Sequence, residues 1–238
     1  MNDNLVLISG ATGTGKSLSF MGIQDPKGVF YANCESGKKL PFKSKFQELV
    51  ITDPKQIYQV FTQAETEPSV HTIIVDSLTF LLDMFETVYV TNAANGMSAW
   101  AEFQTFFKVL MQEHVAKSTK NVIFTAHTLA VYNEADMAME VKVPVKGALK
   151  NNGIEAYFST VISTKKMKLA DLEKYESKLL TITEEETMLG FKYVFQTKIT
   201  KDTVNERIRG PFGLFDNSET FTDNNTQLII DRLHEYYG

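Results

Sequence analysis

Short apolar runs, each stopped by a small or polar residue, recur along the first half of the chain and read as buried strands. They are Leu5–Ile8, Gly28–Ala32, Val50–Thr52, Val70–Asp76 and Asn121–Ala126. Between them lie segments with helical spacing: Lys16 to about Met21, Pro54 to about Glu65, Leu78–Val90 and Ser98–Ala116. Pro54 suits an early helical position, where its missing N–H costs little. Phe103, Phe106, Phe107, Leu110 and Met111 share one face, which reads as core rather than as a binding surface; Trp100 sits beside the polar break Thr91–Gly96, where it could be exposed. Strands alternating with helices predict an α/β fold with a mostly parallel central sheet flanked by helices.

The pattern changes after the last of these strands. Thr128–Gly153 reads as one long connection. Val161–Thr164 and Phe191–Thr200 follow as strands, the latter partly alternating, and predict an antiparallel C-terminal pair. The charge-rich stretch 165–190 between them reads as an insertion, and 225–238 as a closing helix with Leu228, Ile229, Leu233 and Tyr236 on one face. At 238 residues, a single domain spanning 1–238 is expected.

Chemistry enters at the first strand's end. Gly10-Ala11-Thr12-Gly13-Thr14-Gly15-Lys16-Ser17 matches the phosphate-loop pattern GxxxxGK[ST] directly after an apolar strand. Its glycines let the backbone curl around an anion, so that N–H groups and the following helix's positive end face phosphate oxygens. Lys16 adds a point charge, and Ser17 a hydroxyl for the Mg²⁺ of a nucleoside triphosphate. Glu35, Asp76 and His127 each stand at or just beyond a strand's C-terminal end, the edge that faces the ligand crevice in open parallel sheets. Asp76 is placed to hold Mg²⁺ opposite Ser17; the bland alternative is a cap on the next helix. His127 is placed to sense the terminal phosphate or is a satisfied polar group.

Composition removes several classes. No run approaches the roughly 18 apolar residues of a membrane span, and the N-terminus lacks the pattern of an export signal. A soluble, cytoplasmic protein is expected. The single cysteine, Cys34, excludes an internal disulfide and reads as packing. A net charge of −5 argues against a broadly basic nucleic-acid coat, yet leaves room for a local groove. Lys142, Lys146 and Lys150, at four-residue spacing in the long connection, suit the phosphates of a polynucleotide or simply a solvated loop.

Together, GATGTGKS, the glutamate of YANCESG, IIVDS with no second carboxylate, FTAH and the basic RIRGPFG resemble the RecA-type ATPases, in particular the phage-encoded RecA-like single-strand annealing ATPases of the Sak group. The resemblance covers Leu5 to about Phe215. It implies a RecA-like P-loop NTPase core using ATP and Mg²⁺, with Glu35 polarising the attacking water in place of a carboxylate at Ser77. It implies that His127 relays nucleotide state to a DNA-binding connection 128–153. It further implies a homo-oligomer with ATP between subunits and a basic residue entering from the neighbour, Arg207 first, with Lys198, Lys201 and Arg209 behind it. The N-terminal oligomerisation segment of full-length recombinases has no counterpart before Leu5, so self-assembly is expected to be weak or DNA-dependent. Expected partners are single-stranded DNA and, in one reading, a single-strand-binding protein, with no membrane.

Two rivals remain open. A nucleotide or metabolite kinase shares the phosphate loop, but such enzymes usually close several arginines over the phosphate, and this chain has only Arg207, Arg209 and Arg232, all late. A nucleotide-gated module that binds DNA or a single-strand-binding protein with little hydrolysis is separated poorly from an ATPase by sequence.

Overall fold

In a computed structural model, which describes residues 2–134, 137–175 and 177–238, the apolar runs become one eight-stranded sheet. In chain order its strands are β1 (Leu5–Gly10), β2 (Val29–Asn33), β3 (Gln47–Val50), β4 (Thr72–Asp76), β5 (Asn121–His127), β8 (Thr160–Lys168), β9 (Phe191–Gln196) and β10 (Phe221–Asp223). A separate hairpin, β6 (Leu129–Asn133) with β7 (Ala138–Lys142), stands outside it. The spatial order is β10-β9-β8-β1-β5-β4-β2-β3. From β8 to β3 every pairing is parallel, and β9 and β10 add to the β8 edge antiparallel. The expected α/β architecture, with a mostly parallel sheet and antiparallel C-terminal strands, is therefore present.

Alternation along the buried strands supplies two cores. Leu5 and Leu7 of β1 face the layer formed by α1 (Gln56–Thr66), α2 (Leu78–Phe85) and α3 (Gly96–Val109). Val6 and Ile8 face the opposite side, where Phe20 and Ile229, Ile230 and Leu233 of the C-terminal helix pack. Helix α2 runs on through a π-helical turn to Val90 and α3 through another to Val115, so both predicted helices keep nearly their expected lengths. Phe103, Phe106, Phe107, Leu110 and Met111 are buried, as is Cys34, whose thiol burial holds protonated. Trp100 packs edge-on to Phe103 and over Gly147, where any side chain would collide with the indole.

Five expectations are corrected. The segment after the phosphate loop is a six-residue 3-10 turn, Ser17–Gly22, not a full helix. Gly22, at its end, packs against Asn225 so closely that a Cβ would overlap it. The connection 128–153 is not structureless: it holds the β6–β7 hairpin and α4 (Leu149–Asn152). The hairpin was missed because none of its strand residues is buried on either face, so no apolar alternation marks it. The stretch 165–190 is not wholly an insertion. Lys165–Lys168 extend β8 against Val194–Phe191, and only then come α5 (Leu169–Leu172) and α6 (Glu184–Leu189). The predicted Phe191–Thr200 strand ends at Gln196, because Thr197 leaves the ladder to bond the backbone of Thr220. The third strand lies earlier than expected, at Gln47–Val50, with all four residues exposed at the sheet edge. The closing helix, α7 (Thr226–Tyr237), stands where it was expected. Ala135 and Asp136, in the predicted connection, and Glu176, in the predicted insertion, lie outside the described residues.

Candidate phosphate-binding site

Parallel register brings four strand ends to one rim. Gly10 of β1 pairs with His127 of β5, and Asn33 of β2 pairs with Asp76 of β4. Because β5 lies between β1 and β4, the strand carrying Asp76 and the strand feeding the glycine loop are separated by the one carrying His127. A cleft of about 300 Å³ opens at this rim, lined by Thr12, Lys16, Ser17, Glu35, Asp76, His127 and Tyr193 among others.

The loop Gly10–Ser17 is shaped by backbone freedom and close packing. Gly13 and Gly15 have φ of 78° and 95°, which L side chains rarely adopt. Tyr193 and Asn224 press on Gly15, and Asn224 Nδ2 donates to the Gly15 carbonyl at 2.9 Å. Thr14 Oγ1 donates to the Ala11 carbonyl at 2.8 Å. Lys16 folds into the loop, where Nζ donates to the carbonyls of Gly10 and Ala11, each at 2.9 Å. Burial lowers its pKa to about 8 against the opposing pull of Asp76 and Glu35. An anion in the cleft would stabilise the charged ammonium. The six-residue turn after the loop is too short to add much of a helix dipole, so Lys16 and the loop amides carry the attraction for an anion.

Asp76 is buried and accepts hydrogen bonds from Ser17 Oγ at 2.9 Å, Tyr31 OH at 2.9 Å and Thr125 Oγ1. Burial and the neighbouring Asp76 charge raise the Tyr31 pKa far above its ordinary value, so the phenol is a fixed donor. Tyr31 and Thr125 were missed by sequence reasoning. Both are polar tips inside otherwise apolar strand runs, a placement that demands a buried partner. Hard oxygen donors at Ser17 and Asp76 fit a Mg²⁺ ion that keeps waters and substrate phosphates as its other ligands. Among the described residues no cluster of three or more His, Cys, Asp or Glu could hold a metal alone.

Glu35 lies two residues past β2 in a turn with Ser36 and Gly37 both at positive φ. Asn33, fully buried, pins this turn: Oδ1 accepts from the Glu35 amide and Nδ2 donates to the Lys38 carbonyl, both at 3.0 Å. Glu35 Oε2 accepts from Lys38 Nζ at 2.8 Å, and Oε1 lies 3.4 Å from His127 Nε2. The hydrogen bond from His127, followed by those from Lys38, holds the Glu35 carboxyl down to about 2 despite its burial. His127 Nδ1 is 3.4 Å from Thr12 Oγ1, while the His127 amide donates to Thr79 Oγ1. His127 thus bridges the glycine loop and Glu35.

The remaining candidates lie elsewhere. Arg207 Nε and Nη2 donate to Glu140 Oε1 at 2.9 and 2.6 Å, and Nη1 reaches Glu155 at 3.4 Å, so it ties the hairpin to the C-terminal segment. Arg209 donates to the Phe158 and Ala156 carbonyls, and Lys198 to Asn217. Lys201 is exposed. Lys142 pairs with Glu140 and Lys146 with Glu86, leaving Lys150 exposed on α4. The three lysines therefore do not form one bare basic track. No helix among the described residues is long and apolar enough to cross a membrane. Neither a protein-family model nor a curated protein matches the sequence significantly.

Proposed function

We propose that this chain is a Mg²⁺-dependent ATP-binding and hydrolysing protein that binds single-stranded DNA, acting as the RecA-like annealing and recombination ATPases do. One observation carries the reading: Lys16, the Ser17–Asp76 pair and the Glu35–His127 pair, separated widely in sequence, converge on one cleft. In this reading the loop amides and Lys16 hold the β- and γ-phosphates, and Ser17 and Asp76 hold the metal that accompanies them. Glu35 orients water toward the γ-phosphorus, and His127, in contact with loop and carboxylate alike, registers whether the terminal phosphate is present.

The DNA contact falls on the hairpin that begins two residues after His127. Residues directly opposite in the β6–β7 ladder share a face, which places Ala130, Val141, Tyr132 and Met139 together. Tyr132 and Met139 are about half exposed. An exposed aromatic and a thioether on one hairpin face suit unpaired bases better than the paired lysines suit backbone phosphates. Because Arg207 is held by two carboxylates of its own chain, entry into a neighbour's site would require it to leave them.

ATP hydrolysis by the purified chain with Mg²⁺, with and without single-stranded DNA and over a range of protein concentrations, tests the reading. Stimulation by DNA with a more than linear rise in protein supports a DNA-bound assembly; turnover requiring a small-molecule acceptor would replace it with a kinase. A second reading, a nucleotide-gated DNA-binding module with little hydrolysis, is favoured by the Glu35 carboxylate being engaged on both oxygens. Nucleotide-dependent DNA binding without turnover would select it.

A further inference from the structure

We infer that Lys38 is the cation that neutralises the γ-phosphate during hydrolysis, supplied by the same chain that holds the nucleotide, and that it leaves Glu35 to do so. The inference rests on the ATPase reading above and assigns within it a catalytic residue of this chain.

Four observations carry it. Lys38 lines the same cleft as Lys16, Ser17, Asp76 and His127. Its placement is built in: Ser36 and Gly37 at positive φ turn the chain back, and the buried Asn33 side chain holds the Lys38 carbonyl. Its ammonium group is close enough to oppose the charge of Lys16 across the cleft, while its side chain, 70% exposed, keeps the freedom to move. Finally, no arginine among the described residues lines this cleft: Arg207 is bound to Glu140 and Glu155, Arg209 to backbone carbonyls, and Arg232 to Glu219 and Glu235.

In the resting arrangement the two Glu35 oxygens face Lys38 and His127. Such a carboxylate is a poor acceptor for a water proton. A γ-phosphate entering the cleft presents more negative charge than one carboxylate, and transfers Lys38 from Glu35 to a phosphate oxygen. That movement supplies positive charge where it develops in the transition state and frees Oε2 to accept a hydrogen bond from water. Hydrolysis then balances simply. The water oxygen bonds to the γ-phosphorus, and the bond from that phosphorus to the β,γ-bridging oxygen breaks with its electron pair retained by ADP. The water proton passes to Glu35 and on to solvent.

The test uses the full chain with Lys38→Ala, Lys38→Arg and, as a net-charge control at an exposed lysine, Lys43→Ala. Calorimetry measures Mg²⁺-ADP binding with and without aluminium fluoride, which completes a mimic of the transferring phosphoryl group; single-turnover hydrolysis is measured alongside. We expect Lys38→Ala to bind ADP within about threefold of wild type while losing about 100-fold in both hydrolysis and the fluoride-dependent gain in affinity. Lys38→Arg should recover part of both, and Lys43→Ala should alter neither. An unchanged fluoride-dependent gain in Lys38→Ala, or hydrolysis equal to or faster than wild type as expected of a lysine that merely restrains Glu35, overturns the inference while leaving the ATPase reading intact. Failure of the wild-type chain to bind Mg²⁺-nucleotide overturns both.

Discussion

The sheet rim and the β6–β7 hairpin stand a few residues apart and treat side chains in opposite ways. At the rim, groups that favour water are buried: Asp76, Asn33 and Lys16 are each under a tenth exposed and fully engaged by neighbours. On the hairpin, groups that avoid water are exposed: Leu129, Tyr132 and Met139 each show half or more of their surface. Burying a charge costs free energy unless it is paired, and exposing apolar surface forfeits burial. Neither choice serves stability by itself. His127 ends the last central strand and Thr128 alone separates it from the hairpin, which makes it the covalent and spatial link between them.

The contrast is broken most sharply at Lys16. Lys16→Ala removes the buried cation that bonds the loop carbonyls, and nucleotide affinity measured by calorimetry should fall at least about 100-fold, the loss of roughly 3 kcal/mol expected for charge-assisted hydrogen bonds. Unchanged affinity would remove the phosphate-loop assignment. Glu35→Gln keeps the shape of the rim but not its base, so binding should persist while hydrolysis drops about 100-fold. Full turnover in that variant would strip Glu35 of its role.

On the hairpin side, Tyr132→Ser with Met139→Ser should leave nucleotide binding and the melting temperature near wild type. Affinity for single-stranded DNA should weaken by about 1–3 kcal/mol per stacked base lost, read by fluorescence anisotropy. A nucleotide-dependent DNA affinity unaffected by this double variant would move the contact away from the hairpin.

Acid offers a finer probe of the rim. Glu35 is held down to about 2 from an ordinary value near 4.5, so its contribution to stability is complete above about pH 4.5 and is lost as pH falls toward 2. The stability of wild type relative to Glu35→Gln should therefore decline across that interval in denaturant titrations, and a constant difference would show that the carboxylate is not held as described. The smallest effect is expected at Lys146→Ala. Its pair with Glu86 is largely solvent-exposed, and such pairs contribute about 0–1 kcal/mol, so melting should scarcely change.

Strand ends were legible wherever burial on both faces forced an unbroken apolar run. Val6-Leu7-Ile8 and Ile73-Ile74-Val75 announce central strands and so locate the loop and Asp76 at their ends. The same logic fails where burial is partial or absent. β3 and β6 are exposed throughout or nearly so, and β10 is a three-residue strand whose partner sits some twenty-five residues earlier, so local pattern misplaces the first and carries no trace of the other two. The expected basic connection failed for a related reason. Four-residue spacing keeps lysines on one face only within a single regular element, whereas here Lys142 ends a strand, Lys146 reaches across to Glu86 and Lys150 lies on α4.

By itself the sequence determined the glycine loop, since its glycines, lysine and serine act through local backbone geometry that eight consecutive residues specify. It also determined which residues would stand at strand ends, because a buried parallel strand must be apolar and must stop where polarity begins. Only the tertiary structure decided which ends meet. The insertion of β5 between β1 and β4 brings Thr125 to Asp76 and His127 to Glu35, and the register of β2 on β4 brings Tyr31 to Asp76. The positions of Arg207 and Lys38 were decided there too. Arg207 settles on Glu140 and Glu155, whose distance along the chain carries no sign of the pairing, whereas Lys38 takes the carboxylate three residues before it because the turn at Ser36 and Gly37 folds back.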